Sequence, residues 1–343
     1  MYDEDDIRHE IAHLARIELH TPNPDGTLWF FKELLGMRET MREGQSVYLR
    51  GYEDPYQWSL KVTEGPVAKM DHAAMRTSSP QALERRAKAI GDSNLDGQWT
   101  EGDFGYGKTF QFSTPDGHDM RLLWEAEKYR APDELRSKIL TRPSKKPLQG
   151  IPVKRIDHLN LLAHDVTPVK QSFERYLGMQ TRERVVDGDV EHGAWLSSNI
   201  LGHEVAIMRD GHGAHGRLHH VAFFYGVQQH TVDAAEMFRD YDITIEAGPD
   251  RHGITQGSFL YVFEPGGNRI ELFGDPGILE LEPDFEMRTW TMDDIDTGTA
   301  IGGTNLPKET YFTYGTPPYE PVDLADAVSQ DLPGEPTAAG RID

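Results

Sequence analysis

Three residues of this 343-residue chain combine into a small piece of coordination chemistry. His158 lies in Ile156-Asp-His-Leu-Asn-Leu-Leu162, His220 in His219-His-Val-Ala-Phe223, and Glu271 in Ile270-Glu-Leu-Phe273. Each run is short and apolar, which reads as a β-strand. Two imidazoles and one carboxylate form the donor set that holds a divalent metal on one face and leaves the opposite face open. A single histidine in a strand is ordinarily structural; three donors at matching points of three strands are not. His203, in Gly202-His-Glu-Val-Ala206, and His252, in the turn Gly248-Pro-Asp-Arg-His-Gly253, add imidazoles able to move protons near neutral pH. Tyr261 opens the strand–turn–strand unit that carries Glu271, and a phenol there can donate to a substrate oxyanion. The stretch from Asp210 to Arg217 adds His212 and His215, but its glycines read as a flexible surface loop without a role.

The elements that must position these residues are written twice. Ile11-Ala-His-Leu-Ala-Arg-Ile-Glu-Leu19 leads to an amphipathic helix ending in Leu35-Gly-Met37; Ile156 to His164 leads to another ending in Leu177-Gly-Met179. Gly36 and Gly178 are natural helix stops. Asp71 to Met75 precedes a helix over 80–90, and His219 to Phe223 precedes a helix over 228–241. Phe110 to Trp124 and Tyr261 to Phe273 are hairpins with Pro and Gly in the turn. Matching positions are spaced 145 (His13 to His158), 148 (His72 to His220) and 150 (Arg121 to Glu271) residues apart. The expected fold is α+β: tandem βαβββ modules forming two duplicated domains, each with a curled mixed sheet around a cavity. The N-terminal copy would carry His13, His72 and Arg121 at the three aligned points. A guanidinium repels a cation, so that copy is expected to be metal-free.

The expected divisions are an N-terminal domain over 1–141, a linker over 142–153, a metal-binding catalytic domain over 154–303 and a Pro-rich acidic tail over 304–343. A short helix over 132–140 should precede the linker. The tail reads equally as a lid or intersubunit arm and as a poorly packed segment crossing the surface. Lys and Arg number 35 against 57 Asp and Glu, a net charge of −22. That excess disfavours nucleic acid and anionic lipid as partners. The absence of cysteine excludes disulfides, thiol catalysis and Cys-ligated metal. No apolar run approaches the roughly 20 residues of a membrane span. The acidic stretch Met1 to Glu10 has no apolar signal core, so a cytoplasmic location is expected.

The run GPDRHGITQGSFLYVFEPGGNRIELF, from Gly248 to Phe273, closely resembles the signature of extradiol ring-cleaving dioxygenases of the vicinal oxygen chelate superfamily. Gly216 to Phe223 and Ile156 to Leu162 resemble that family's other two metal-ligand segments. Glu286 to Thr291 is similar to the segment that follows the signature in catechol 2,3-dioxygenases. The resemblance spans most of the chain from Ile11 to Trp290. It implies cleavage of a catechol by O2, giving a 2-hydroxymuconic semialdehyde-type product. The implied cofactor is Fe(II), with Mn(II) in some members, on His158, His220 and Glu271. His203 then matches the proton-handling histidine, His252 and Tyr261 the contacts to substrate oxygens, and Asn160 and Trp195 pocket positions. Relatives acting on carboxylate-bearing catechols often carry a basic residue where this chain has Ala247, and some carry Tyr where it has Phe273. A neutral or alkyl-substituted catechol is therefore expected. A homo-oligomer, with a tetramer favoured, is implied by resemblance alone. Alternatives within the superfamily are a 4-hydroxyphenylpyruvate-type dioxygenase and a glyoxalase-like isomerase; outside catalysis, a silent metal-binding protein.

Overall fold

The computed structural model describes residues 7–95, 97–302 and 308–328. Four copies of one strand–helix–three-strand module follow one another. The first is β1 (Ile11–Thr21), α1 (Pro24–Trp29), β2 (Arg38–Glu43), β3 (Ser46–Arg50) and β4 (Leu60–Glu64). The second is β5 (Lys69–Thr77), α2 (Pro80–Gly91), β6 (Gly97–Thr100), β7 (Thr109–Ser113) and β8 (Asp119–Leu123). The third is β9 (Arg155–Ala163), α3 (Val166–Ser172), β10 (Gln180–Asp187), β11 (Val190–Ser197) and β12 (Val205–Arg209). The fourth is β13 (Arg217–Phe224), α4 (Gln229–Asp240), β14 (Ile245–Arg251), β15 (Ser258–Phe263) and β16 (Arg269–Phe273). An edge strand β17 (Arg288–Thr291) and helices α5 (Ile295–Thr299) and α6 (Glu309–Thr313) come after them.

The first two modules make one mixed sheet, ordered β2-β3-β4-β1-β5-β8-β7-β6. The last two make the other, ordered β14-β15-β16-β13-β9-β12-β11-β10-β17. In each sheet two modules join through their first strands, which run antiparallel. The helices follow from local signals. Ser79 caps α2 by accepting from the Ala82 N–H, Pro80 fits its first turn, and Ala82, Leu83, Ala87 and Ile90 bury one face. α1 and α3 each widen into a π-helical turn, Phe30–Leu34 and Phe173–Leu177. Gly36 and Gly178 then reverse the chain at φ 58° and 67°, the left-handed region a side chain would strain.

The two halves share their apolar interior. One buried cluster contains Leu19, Phe31 and Met75 of the first half together with Leu159, Phe223 and Leu272 of the second. Phe30 stacks on Phe238 at 5.7 Å and Phe31 meets Phe223 edge-on at 5.8 Å. Each such aromatic contributes roughly 1.5–3 kcal/mol through burial. Polar contacts cross as well: Thr27 donates to Glu264 (2.6 Å), His118 Nε2 to the Leu162 carbonyl (3.0 Å), and the Leu14 N–H to Glu204 (3.2 Å). Among the described residues no helix is long and apolar enough to cross a membrane.

Three expectations need correction. The helix expected over 132–140 is only a 3-10 turn, Asp133–Leu135, and Ile139 and Leu140 are exposed. Leu135 and Ile139 stand four apart, but Ile139 is left exposed and no face is buried, and a helix that short does not hold itself together. The loop from Asp210 to Arg217 is docked rather than loose. His215 Nδ1 lies 2.6 Å from Asp116 of the first half, and His212 stacks on Tyr319 of the tail at 4.9 Å. His13 does not correspond to His158. In the register, Ile17 pairs with Ala73 and Leu60, as Leu159 pairs with Val221 and Val205. The residue matching His158 is therefore Arg16. β1 carries register shifts on either side of this point, which a string match cannot see.

Candidate active site

The sheet of the second half lays its functional side chains in rows. Asn160 on β9 pairs with His220 on β13 and with Ala206 on β12, which pairs with Trp195 on β11. One row along, Glu271 on β16 pairs with Ala222 on β13 and Tyr261 on β15, which pairs with Ala247 on β14. Alternation along β9 puts His158 on the same face as Asn160. The strand pairing thus brings His158, His220 and Glu271 together, all at most 2% exposed. His158 Nε2 lies 2.7 Å and His220 Nε2 3.0 Å from Glu271 Oε2.

The surroundings fix which nitrogens carry protons. His219 Nε2–H donates to the Tyr311 carbonyl at 2.6 Å. Its Nδ1 must then accept, and the partner 2.6 Å away is His220 Nδ1–H. Burial, opposed by Glu271, lowers His220 to about 4, so the ring is neutral and Nε2 holds a lone pair. That lone pair faces a carboxylate oxygen without a hydrogen bond. Glu271 Oε1 and Asn160 Oδ1 are also buried and unpartnered. Converging acceptors that lack a donor fit a divalent cation among them. His158 Nδ1–H donates to Asp157 at 2.9 Å, an outer carboxylate of the kind that orients metal-binding imidazoles. Burial alone would lower His158, but Glu271 and Asp157 outweigh it and raise it to about 9. Burial likewise opposes ionisation of Glu271, and the two imidazoles still hold it well below the usual carboxylate range.

Around this centre, the His203 ring lies 4.0 Å from that of His158, on the loop before β12. Burial, then the neighbouring His158, pushes it well below its ordinary value, so it is neutral. His252 stacks on Phe259 at 4.0 Å. Its Nδ1–H donates to the Thr299 carbonyl at 2.5 Å, which leaves Nε2 to accept from the Tyr261 hydroxyl at 3.0 Å. Burial lowers His252 and raises Tyr261 well above the ordinary phenol value, so both are neutral. Phe273 forms a wall 4.9 Å from His158. A Cβ on Gly257 would fall 2.1 Å from that ring, so only glycine lets the loop pass. Ala247 is buried against Phe259 and Tyr261. Trp195 shares Asn160's row but stands two strands out, half-buried.

Sequence reasoning missed Asp157, His219 and Tyr311. The first two flank the ligand candidates in sequence, and an acid or second imidazole beside a strand histidine is a readable signal. Tyr311 could be found only through its setting. It sits in Tyr311-Phe-Thr-Tyr314, an aromatic run inside an otherwise proline-rich, acidic tail. That part of the tail, 308–316, packs against the second sheet, and 304–307 and 329–343 lie outside the described residues.

Residues 155–272 match the Glyoxalase/Bleomycin resistance protein/Dioxygenase superfamily. The chain is 43% identical over 309 residues to the metapyrocatechase of Geobacillus stearothermophilus, covering 90% of this chain and 94% of that one. It is 36% identical over 303 residues to the manganese-dependent 2,3-dihydroxybiphenyl 1,2-dioxygenase of Geobacillus genomosp. 3, covering 87% and 95%. The solved structure of the 2,3-dioxygenase LapB from Pseudomonas sp. KL28 superposes with a TM-score of 0.76 at 25% identity, covering 84% and 99%. The chain therefore belongs to the extradiol dioxygenases of the vicinal oxygen chelate superfamily, in the metapyrocatechase (catechol 2,3-dioxygenase) family, and is an enzyme.

Proposed function

We propose that the enzyme opens a neutral or alkyl-substituted catechol beside its diol with O2, at one Fe(II) held by His158, His220 and Glu271, giving a 2-hydroxymuconic semialdehyde-type product. The observation that carries this reading is the buried convergence of donor atoms from His158, His220 and Glu271 within 4.8 Å of one another, with His220 Nε2 and Glu271 Oε1 unpartnered. The bound ion would supply a chelating centre for two vicinal oxygens and a path for electrons between the diol and O2. On substrate binding the Tyr261 O–H, kept protonated by burial, turns from His252 Nε2 to a substrate oxygen. His252 Nε2, turned inward by the Thr299 carbonyl, accepts a proton from that edge of the ring. His203 takes a proton on a ring nitrogen and returns it as the ring opens. Ala247, Phe259 and Phe273 offer the ring an uncharged wall and exclude water.

The test is to load metal-stripped protein with Fe(II), add catechol without air, admit air, and record the visible spectrum. A yellow semialdehyde band is expected, with faster turnover of catechol and methylcatechol than of carboxylated catechols. No band with any catechol, in protein verified to hold Fe(II), overturns the proposal. Mn(II) loading in parallel decides the metal, which the manganese-dependent relative leaves between the two. A homo-oligomer, tetramer favoured, is part of the same reading. Ile200, Leu279 and Leu281 lie exposed on adjoining segments, an apolar patch of the kind subunits cover. Light scattering that gives a monomer would dismiss it.

A further inference from the structure

We infer that the tail is part of the active site's hydrogen-bond frame, with Tyr311 positioning both Tyr261 and His220. Tyr311 lies on α6 and is 6% exposed. Its side chain works on one edge of the site. The Tyr311 O–H donates to the Tyr261 oxygen at 3.4 Å, and Tyr261 passes its own hydrogen to His252 Nε2. Its backbone works on the other edge. The Tyr311 carbonyl holds the Nε2 proton of His219, which obliges His220 to keep its proton on Nδ1 and to turn the Nε2 lone pair inward. One residue, about ninety positions beyond His220 in sequence, thereby sets the proton pattern at a ligand candidate and at a substrate contact.

The segment cannot drift from this place without leaving donors of two buried guanidiniums unpaired. Arg269 is fully buried and paired with Glu246 at 2.6 and 2.7 Å. Its remaining hydrogens go to the Thr310 and Tyr314 carbonyls, each at 2.9 Å, and to the His219 carbonyl at 3.1 Å. Arg217, paired with Asp210, donates to the Thr313 carbonyl at 2.9 Å and the Gly315 carbonyl at 3.3 Å. Thr316 and Leu218 exchange two backbone hydrogen bonds at 2.8 Å. Four carbonyls in one short stretch are thus held by two buried guanidiniums. Undocking would leave both ion pairs in place but strip buried guanidinium hydrogens of their acceptors, which couples tail docking to the assembly of the site.

The substrate half of this inference rests on the catechol reading; the metal half does not. The test therefore uses two probes that need no turnover. Mn(II) is titrated into metal-stripped protein. 4-Nitrocatechol is then titrated, without O2, into the Mn(II)-loaded protein and followed by its visible absorption. Tyr311→Phe keeps the carbonyl and removes the hydroxyl. It should leave Mn(II) affinity within about twofold and weaken 4-nitrocatechol about fivefold, the loss of one hydrogen bond. His219→Phe should weaken Mn(II) at least about tenfold, as loss of an outer-sphere partner does. His219→Gln, which can still donate to the Tyr311 carbonyl, should recover part of that loss. Far-ultraviolet circular dichroism confirms that each variant is folded; should His219→Phe fail to fold, the Gln variant carries the metal comparison. Tyr311→Phe behaving like wild type toward both probes, or losing Mn(II) as severely as His219→Phe, overturns the division of labour. Wild-type protein that binds both probes but never turns over catechol overturns the catalytic reading and leaves this one standing.

Discussion

Where β1 meets β5 the first half carries Arg16, His72 and Arg121; where β9 meets β13 the second carries His158, His220 and Glu271. The correspondence extends further. The Ser59 carbonyl accepts from the Ile17 N–H as the Glu204 carbonyl accepts from the Leu159 N–H, so Trp58 stands where the other half has His203. Glu18 stands for Asn160 and Lys61 for Ala206. The first cup is plugged. The Arg16 guanidinium lies 3.0 Å from His72 Nε2, 4.6 Å from the Trp58 ring and 4.9 Å from that of Tyr106. It brings its own positive charge to the place that the second cup leaves for an ion, and aromatic rings replace the space for a substrate. One strand plan thus supports a dry, self-neutralised core or a ligand cup, and a few inward-facing residues decide which.

The comparison breaks most visibly at the carboxylate. Glu271→Gln should weaken Mn(II) or Fe(II) binding at least about a hundredfold and abolish turnover, because it removes a donor charge directly. Arg121→Gln, the same position in the other cup, should leave both within twofold. Metal titration and steady-state rates measure the pair. Arg16→Ala should destabilise the protein by about 3 kcal/mol, since it opens a cavity between two rings and strands the charges around it. Urea unfolding measures that loss, and metal affinity per folded molecule should stay unchanged.

Acid and base should act on the two cups in opposite directions. Burial, helped by Arg16 and opposed by Asp71, lowers His72 to about 3. The folded state holds His72 neutral, so its contribution is present above pH 6.5 and is lost as pH falls from there toward 3. His158 in the metal-free protein is raised to about 9. Its contribution is complete below pH 6.5 and is lost as pH rises toward 9. A metal must expel that proton, so affinity should rise about tenfold per pH unit between roughly 7 and 9 and flatten above. A flat affinity profile would show that His158 is not protonated beside Glu271. The smallest effect expected is none. A second equivalent of metal should find no site at Glu18, His20 and Asp71, although their donor atoms lie within 4.8 Å of one another. Lys61 Nζ, 3.4 Å from Glu18, already occupies one of that cluster's two carboxylates. Two tight ions per chain by elemental analysis would refute the contrast between the cups.

Much of this was legible in the amino-acid order. The four modules announce themselves through repeated strand, helix and Leu-Gly-Met patterns, because alternation and turn chemistry are local. His158, His220 and Glu271 could be picked out because they interrupt apolar strands whose neighbours had to be in register. Arg16 could not, since bulges in β1 shift the phase by three residues relative to the string match. Tyr311 could not either. Its importance arises from a contact between the tail and β13 that no local pattern encodes.

The packing of Phe30 on Phe238 and of Phe31 against Phe223 has a consequence for heredity. A duplicated gene normally leaves one copy free to decay or be lost. Here each copy lends aromatic side chains to the interior of the other, so neither half can be trimmed without unroofing its partner. Trypsin nicking after Lys145, which is exposed, should accordingly leave two fragments that migrate together in native conditions and melt in one transition.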